Sequence, residues 1–205
     1  MRYIFTNPLS LKSCQKLFKT CKYFYLKNPI IFIDWLEWDR LQRNFQTYSM
    51  NYIIIDVNNI GYKMWLTKQL RVRSVTHPMA VSQMLDKVFR CDLSHLCIFN
   101  QKISFNDYCI LVNGGNIKHF EMENVEIRDE NGNLVPFEII LEKLPNVVKC
   151  AFRFEALEEY NFSSGTSKKM AELPPFKYLG SFELYGIPLW FDPINFCQFL
   201  EVKTF

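Results

Sequence analysis

Three histidines are the residues of this chain whose type best suits acid–base catalysis or metal binding, because imidazole titrates near neutral pH and is a common metal ligand. They are His77, His95 and His119. His95 and His119 hold the same position in a repeated apolar pattern, so we predict that they are neighbours on adjacent parallel strands, near Cys97. Two histidines are more typical of an exposed sheet surface than of a metal site. We therefore predict no metal site, with a hydrolase built on Cys97 as a weaker alternative.

Motifs for nucleotide binding, zinc proteolysis and acyl transfer are absent from the sequence, since it contains no GxxxxGK[ST], GxGxxG, HExxH or GxSxG. The stretch DENGN at 129–133 begins like a calcium loop, but Leu134 and Ile140 stand where glycine and an acid are needed. A turn is the better prediction there. SSGTSKK at 163–169 is predicted to be a flexible loop. We predict that the protein is not an enzyme and holds no cofactor.

Composition excludes several other classes. The chain has 205 residues, 49% of them hydrophobic, and a net charge of +3, which is too near balance to indicate a nucleic-acid partner. The longest apolar run, PIIFIDWLEW, is too short and too acidic for a membrane span, and the N-terminus lacks the apolar core of a signal peptide. Seven cysteines at irregular spacing favour reduced, packed thiols. We expect a cytoplasmic or nuclear protein with a Phe-rich core.

A repeated pattern predicts the elements that carry these residues. Segments that begin at Leu93, Ile117, Val147 and Leu179 have apolar residues at positions 1, 4, 6 and 11, the spacing of a leucine-rich repeat, and a weaker copy begins at Thr67. Helices are predicted between them, at 76–90, 104–115 and 135–145, with a Ser104 and Asp107 cap and with Pro78 and Pro136 at first turns.

The predicted fold class is α/β: an irregular leucine-rich-repeat-like solenoid with parallel strands and helices on one face, preceded by a short N-terminal helical segment. Position 9 of a regular repeat is Asn or Cys, which satisfies backbone groups at the turn. Other residues fill it here, so another α/β fold is the alternative. Those residues are Gln101, Val125, Glu155 and Ile187.

Positions 3, 5 and 7 of each repeat should point away from the helices, in three parallel rows on a concave face. Both charge signs, arginine and aromatic residues occur in these rows, which favours a protein-contact surface. Solvated strand residues without a partner are the open alternative. The residues predicted to contact a protein are Arg71, Arg73, His95, Phe99, His119, Glu121, Glu123, Lys149, Arg153, Glu183 and Tyr185, and Gln69, Cys97, Ala151 and Ser181 complete the rows.

The basic segment LKSCQKLFKTCKYFYLKNP at 11–29 predicts an amphipathic helix with its lysines on one side, which Pro29 ends. IIFIDWL and YIIID after it predict strands, and 39–51 a helix or loop. The predicted domains are residues 1–28, a partial F-box-like or capping helix, and 29–205, the α/β domain.

The phrase LFKTCKYFY resembles the last helix of an F-box, and ISFNDY, LPNV and FELYGIPLWFDPINF resemble the C-terminal region of nematode F-box proteins with leucine-rich-repeat-like or F-box-associated domains. This resemblance implies a substrate-recognition adaptor: the F-box docks a Skp-type adaptor of a cullin-based ubiquitin ligase, and the repeats hold a protein substrate. It implies that the docking residues are Leu17, Phe18, Cys21, Phe24 and Tyr25.

An F-box is longer than this one helix and opens with an LP-containing segment, so its front half is expected to be missing. A cap for the first repeat, a free-standing protein-binding module and a decayed F-box copy are the alternatives for the helix and the chain.

Overall fold

The structure is a computed structural model that describes residues 29–39, 43–47, 53–55, 59–155 and 161–203, together with positions 12, 13, 16 and 26. It is a mixed α/β structure. The strands are β1 (Ile30–Asp39), β2 (Asn44–Thr47), β3 (Ile53–Ile55), β4 (Lys63–Arg73), β5 (Val88–Cys91), β6 (His95–Phe99), β7 (Lys102–Ser104), β8 (His119–Glu123), β9 (Glu126–Arg128), β10 (Lys149–Arg153) and β11 (Ser181–Tyr185). The helices are α1 (Ala80–Leu85), α2 (Phe105–Val112), α3 (Phe137–Glu142), α4 (Thr166–Glu172) and α5 (Pro193–Lys203).

Nine of the described strands form one open, mostly parallel sheet. Its order is β11, β10, β8, β6, β4, β1, β2, β3, and β5 also pairs with β4. The strands from β1 to β11 in this order are parallel to their neighbours, whereas β2 and β3 add an antiparallel extension. β7 and β9 form a second, two-stranded parallel sheet. The predicted parallel strands with intervening helices are therefore confirmed.

The core lies between the main sheet and the helices. Repeat positions 4 and 6 in β4, β6, β8 and β10 point into it, and each is at most 2% exposed. Helix residues such as Val81, Tyr108 and Phe137 belong to the same cluster, and each such side chain contributes about 1.5–3 kcal/mol when buried. The ring centroid of Phe137 is 4.7 Å from that of Phe152, in keeping with the Phe-rich core expected. At the edge strand β11, the corresponding Phe182 and Leu184 are only half-buried.

Local signals explain where the helices begin and end. Ser104 caps α2, since its hydroxyl accepts a hydrogen bond from the Asp107 amide at 3.0 Å, as predicted. Pro136 directly precedes α3. The first predicted helix is shorter than expected, because α1 ends at Leu85 and Val88 instead pairs with Met64 in the sheet.

Two other predictions were wrong. Within the segment 39–51, residues Asn44–Thr47 form strand β2 rather than a helix or loop, because Phe45 is buried with its ring centroid 5.0 Å from that of Trp38 in β1. The supposed flexible loop 163–169 contains the start of α4. Thr166 is fully buried there and donates to the carboxylate of Glu138 in α3 at 3.2 Å, so tertiary contacts order this polar stretch.

Side chains in the turns that follow the strands are hydrogen-bonded to one another and form a ladder. In a regular leucine-rich repeat this ladder is at position 9, and here it is at position 8. Asn100, Asn124 and Gly186 all have positive φ, of 54°, 51° and 69°. The Asn124 side-chain amide donates to the Asn100 side-chain oxygen at 3.3 Å, and Asn124 Oδ1 accepts from the Glu155 amide at 2.8 Å. The ladder therefore stands at position 8 of the first two full repeats, Gly186 repeats the positive φ in the last, and Phe154 holds this position in the repeat between.

At position 9 the fully buried Gln101 takes over the role of the usual asparagine in its repeat. Its Oε1 accepts from the Val81 amide at 3.2 Å, and its Nε2, which has two hydrogens to donate, lies within hydrogen-bond distance of the carbonyls of Ser74, His77 and Asn100, at 3.2, 3.1 and 2.9 Å. One side chain thus satisfies backbone groups of three segments: the end of β4, the start of α1 and the turn after β6.

Candidate functional site

The side chains at repeat positions 3, 5 and 7 of β4, β6, β8, β10 and β11 form the surface that we call the row face. The parallel register places them in three straight lines, so the predicted alignment is confirmed. Row 3 is Gln69, His95, His119, Lys149 and Ser181; row 5 is Arg71, Cys97, Glu121, Ala151 and Glu183; row 7 is Arg73, Phe99, Glu123, Arg153 and Tyr185.

Strand β1 extends the row face by one strand. Trp35 lies opposite Gln69, and Glu37 lies opposite Arg71. Sequence reasoning missed both residues, because β1 lies outside the repeat pattern. The alternation of IIFIDWLEW was the available signal, since it places Trp35 and Glu37 on the face opposite the buried Leu36.

The row face is open to solvent over most of its extent. None of its residues belongs to the main hydrophobic cluster, and most are half-exposed, although Cys97 and Phe99 are buried. Phe99 is an exception at 4% exposed, because the guanidinium of Arg73 lies 4.0 Å from its ring centroid. Phe99 was predicted to contact a partner, and this role stays a prediction; in the structure its ring supports the guanidinium of Arg73.

Arg153 is the centre of a charge cluster on the row face. Its Nη1 lies 2.6 Å from Glu121 Oε1 and 3.7 Å from Glu123 Oε2, and its Nη2 lies 3.5 Å from Glu183 Oε2. The hydrogen bond to Glu121 is the main cause of a raised pKa for Arg153. Its guanidinium also lies 5.3 Å from the ring centroid of Tyr185. These contacts hold one cation among three carboxylates.

Arg71 and Arg73 are less well neutralised. Arg71 Nη1 is 4.0 Å from Glu37 Oε1, at the outer limit of an ion pair, and no ion pair to Arg73 occurs among the described residues. The Nε atoms of both arginines are buried, and within the described chain neither finds a hydrogen-bond acceptor. Buried donors in native proteins are nearly always paired, so these two are unusual.

A hollow of about 220 Å³ lies on the row face above Ala151, where the small side chain leaves space between its neighbours. Glu121 and Glu183 flank it across the strands, and Lys149 and Arg153 flank it along β10. Pockets for small molecules usually measure about 300–1,000 Å³, so this one has room for roughly one amino-acid side chain.

His95 and His119 are neighbours, as predicted. Their rings are stacked, with centroids 4.4 Å apart and planes 11° apart. Burial, and then the charge of His119, lowers the pKa of His95. The part of the chain that the structure describes contains no group of three or more His, Cys, Asp or Glu residues placed to hold a metal ion.

Burial also changes the chemistry of the cysteines. It is the largest cause of the raised pKa of Cys97, with the charge of Glu121 second, and it raises the pKa of Cys91 to about 12. The thiolate is the reactive form of cysteine, so these shifts oppose activation. Cys97 therefore lacks the depressed pKa that a hydrolase nucleophile requires.

Thiol labelling tests this assignment. At neutral pH we expect iodoacetamide to modify Cys197, which is exposed, at least about tenfold faster than Cys97, because Cys97 is buried and its thiolate is disfavoured. Peptide mass spectrometry at timed intervals measures both rates in one sample. Modification of Cys97 as fast as that of Cys197 would contradict the structure and revive a nucleophilic role.

The predicted adaptor-docking residues Leu17, Phe18, Cys21, Phe24 and Tyr25 lie outside the described residues. Their role stays a prediction, as does a partner-binding role for the row face.

None of the described helices combines the length and the apolar character that a membrane span requires. No protein-family model, curated protein or solved structure matches this chain.

Proposed function

We propose that this protein is an F-box-like substrate-recognition adaptor of a cullin-based ubiquitin ligase, which binds a protein substrate through the row face. The row face is the observation that supports the binding half of this proposal most strongly. It is a sheet surface outside the core with arginine, tyrosine and charged side chains in register. The resemblance of LFKTCKYFY to an F-box helix supports the ligase half.

We further propose that the sheet and its helices form an irregular leucine-rich-repeat-like solenoid. The strand order supports this, since β6, β8, β10 and β11 each lie beside the preceding strand of the pattern. The hydrogen bond between Asn124 and Asn100, and the positive φ that Gly186 shares with them at the same repeat position, also support it, because repeated units produce equivalent turns.

The dimensions of the row face suit a protein partner. Five strands spaced about 4.8 Å apart span roughly 19 Å, and positions 3 to 7 extend about 13 Å along each strand. The resulting area, roughly 250 Å², is about a third of what one partner contributes to an interface of standard size. The row face would therefore be the centre of an interface whose rim lies beyond the rows.

Preorganised side chains add to the argument. Arg73 rests on Phe99, and Arg153 is held by carboxylates and lies near Tyr185. Binding a partner would restrict these side chains little further, which lowers the entropic cost of association. Arginine and tyrosine in such settings are common anchors of protein interfaces.

Direct binding to a purified Skp-type adaptor tests the ligase half. We expect the full chain to bind it with micromolar affinity or better, and the double variant Phe18→Ala/Phe24→Ala to bind at least about tenfold more weakly, as loss of apolar anchors predicts. Biolayer interferometry measures both. Ala151→Trp, which fills the hollow on the row face, is the matched control and should bind the adaptor normally.

If the full chain fails to bind under conditions in which a complete F-box protein binds, the ligase half is wrong. A free-standing protein-binding module would then be the better description, since it needs the row face alone.

A further inference from the structure

The charges on the row face are separated by strand. In rows 5 and 7, the cations Arg71 and Arg73 stand on β4, and the carboxylates Glu121, Glu123 and Glu183 stand on β8 and β11. Glu37 offsets one of the two arginines and leaves +1 at this end. Arg153 and Lys149, both on β10, offset two of the three carboxylates and leave −1 at the other end.

The positive charge of Arg71 and Arg73 is only partly neutralised by the described residues, so this end of the row face favours an anion. Arg73 lies over the ring of Phe99, with its guanidinium carbon 4.0 Å from the ring centroid. The Nε atoms of Arg71 and Arg73 are buried, so a carboxylate of a partner would pair with the Nη groups of these side chains. A carboxylate placed between them would accept hydrogen bonds from both side chains, the strongest pairing available to arginine.

The acidic end selects the opposite charge. Three carboxylates share one guanidinium, and the second contacts of Arg153, at 3.7 Å and 3.5 Å, are longer than a strong charge-assisted hydrogen bond. Carboxylate oxygens of Glu123 and Glu183 therefore have capacity for a further cation. A uniformly acidic partner would be repelled here, and a polyphosphate backbone would be repelled for the same reason.

We propose that the occupant of the row face is an extended protein segment with separated charges: an acidic side chain over Arg71 and Arg73 on β4, and a basic side chain over Glu123 and Glu183 on β8 and β11. This inference rests on the proposed function, and it adds the chemistry and the orientation of the bound segment. The segment crosses the strands, because the two charged ends lie on different strands of the same sheet.

The sheet geometry determines the spacing of the two charges. Glu123 is two strands from Arg73 and Glu183 is four strands away, which corresponds to roughly 10 Å and 19 Å. An extended chain advances about 3.3–3.6 Å per residue, so the acidic and basic residues should be roughly three to six positions apart. The hollow above Ala151 lies in that interval and has room for one intervening side chain.

Selection from a phage-displayed library of random peptides tests the proposal without a known partner. The library is panned on the full-length chain and on three variants: Arg71→Glu/Arg73→Glu, Glu123→Lys/Glu183→Lys and Ala151→Trp. Circular dichroism and thermal melting confirm that each variant is folded. If a double reversal does not fold, the neutral changes Arg73→Gln and Glu183→Gln replace it.

On the wild type we expect enrichment of peptides with an acidic and a basic residue at the inferred spacing. Each enriched peptide, once synthesised, should bind at least about tenfold more weakly to either charge-reversal variant, since attraction is replaced by repulsion. It should also bind at least about tenfold more weakly to Ala151→Trp, in which the hollow is filled. Panning on Arg71→Glu/Arg73→Glu should replace the acidic residue with a basic one, and panning on Glu123→Lys/Glu183→Lys should replace the basic residue with an acidic one.

Other outcomes separate this inference from the proposed function. Peptides that lose binding to Ala151→Trp but tolerate both reversals would overturn the charge assignment and leave the row face as a binding surface. Peptides that tolerate all three variants, or no enrichment on the wild type, would count against both. Enrichment of purely acidic or phosphate-mimicking sequences would overturn the paired-charge arrangement.

Discussion

Replacing Gly186 with alanine is expected to lower the free energy of unfolding by about 3 kcal/mol or more, through a combination of backbone strain and steric overlap. Gly186 follows β11 with φ of 69°, a conformation that disfavours any residue with a β-carbon. A β-carbon built there would overlap the carbonyl oxygen of Phe154 and lie 2.9 Å from its carbonyl carbon. Both atoms belong to the backbone, so a side-chain rotation cannot relieve the contact.

Gly132→Ala separates the two causes. Gly132 has φ of 82°, but a β-carbon there meets nothing within 4 Å. This variant should therefore cost only the conformational strain, about 1–2 kcal/mol. Urea unfolding followed by circular dichroism gives both values. Equal losses for the two variants would mean that the turns after β10 and β11 are not as closely stacked as the structure indicates.

Replacing Gln101 with methionine, which has a similar shape but no amide, is expected to cost about 3 kcal/mol of stability, because several buried backbone groups lose their partner at once. The Val81 amide would lose its acceptor near the start of α1, and the carbonyls of Ser74, His77 and Asn100 would lose their shared donor. Urea unfolding again measures the loss. A change below about 1 kcal/mol would show that these groups find other partners.

Gln101→Glu gives the same site a pH-dependent signature. Carbonyl oxygens surround the position of Nε2, and the site is fully buried, so the folded chain should favour the protonated acid and raise its pKa above the unfolded value of about 4.3. The contribution of this site to stability, taken as the difference from Gln101→Met, should then be greatest below about pH 4 and fall as the pH rises through the folded-state pKa. Gln101→Met is the control, because it cannot titrate and should show only the pH dependence of the wild type.

Sequence periodicity was enough to predict the row face, because a strand has only two faces and the repeat determines which one is buried. The sequence pattern alone therefore places Arg73, Glu123 and Arg153 in one line. Contact geometry across the rows was not predictable in the same way. The position of Arg73 over Phe99 depends on a side-chain rotamer, which the spacing of apolar residues does not specify.

Features that depend on tertiary contacts were missed for a physical reason. The polar stretch that begins α4 has weak helix signals, and it is ordered by Thr166 and Lys169, both of which contact the buried carboxylate of Glu138. A regular repeat predicts the turn ladder at position 9, where Gln101 replaces the usual asparagine, but the hydrogen bonds that Asn100 and Asn124 make stand at position 8. Strand β1 carries no repeat, so neither Trp35 nor Glu37 could be assigned to the surface by the repeat template.

The half-buried state of Phe182 and Leu184 makes β11 less well packed than the neighbouring parallel strands. Burial of the equivalent residues is nearly complete in β6, β8 and β10, so transient opening should begin at β11 and proceed inward strand by strand. The proposed bound segment would contact both β11, which opens most easily, and β4, which is well buried. Binding of the segment and the local stability of β11 would then be thermodynamically coupled. The bound protein would be more ordered than the free protein, and substitutions that destabilise β11 would weaken binding without contacting the ligand.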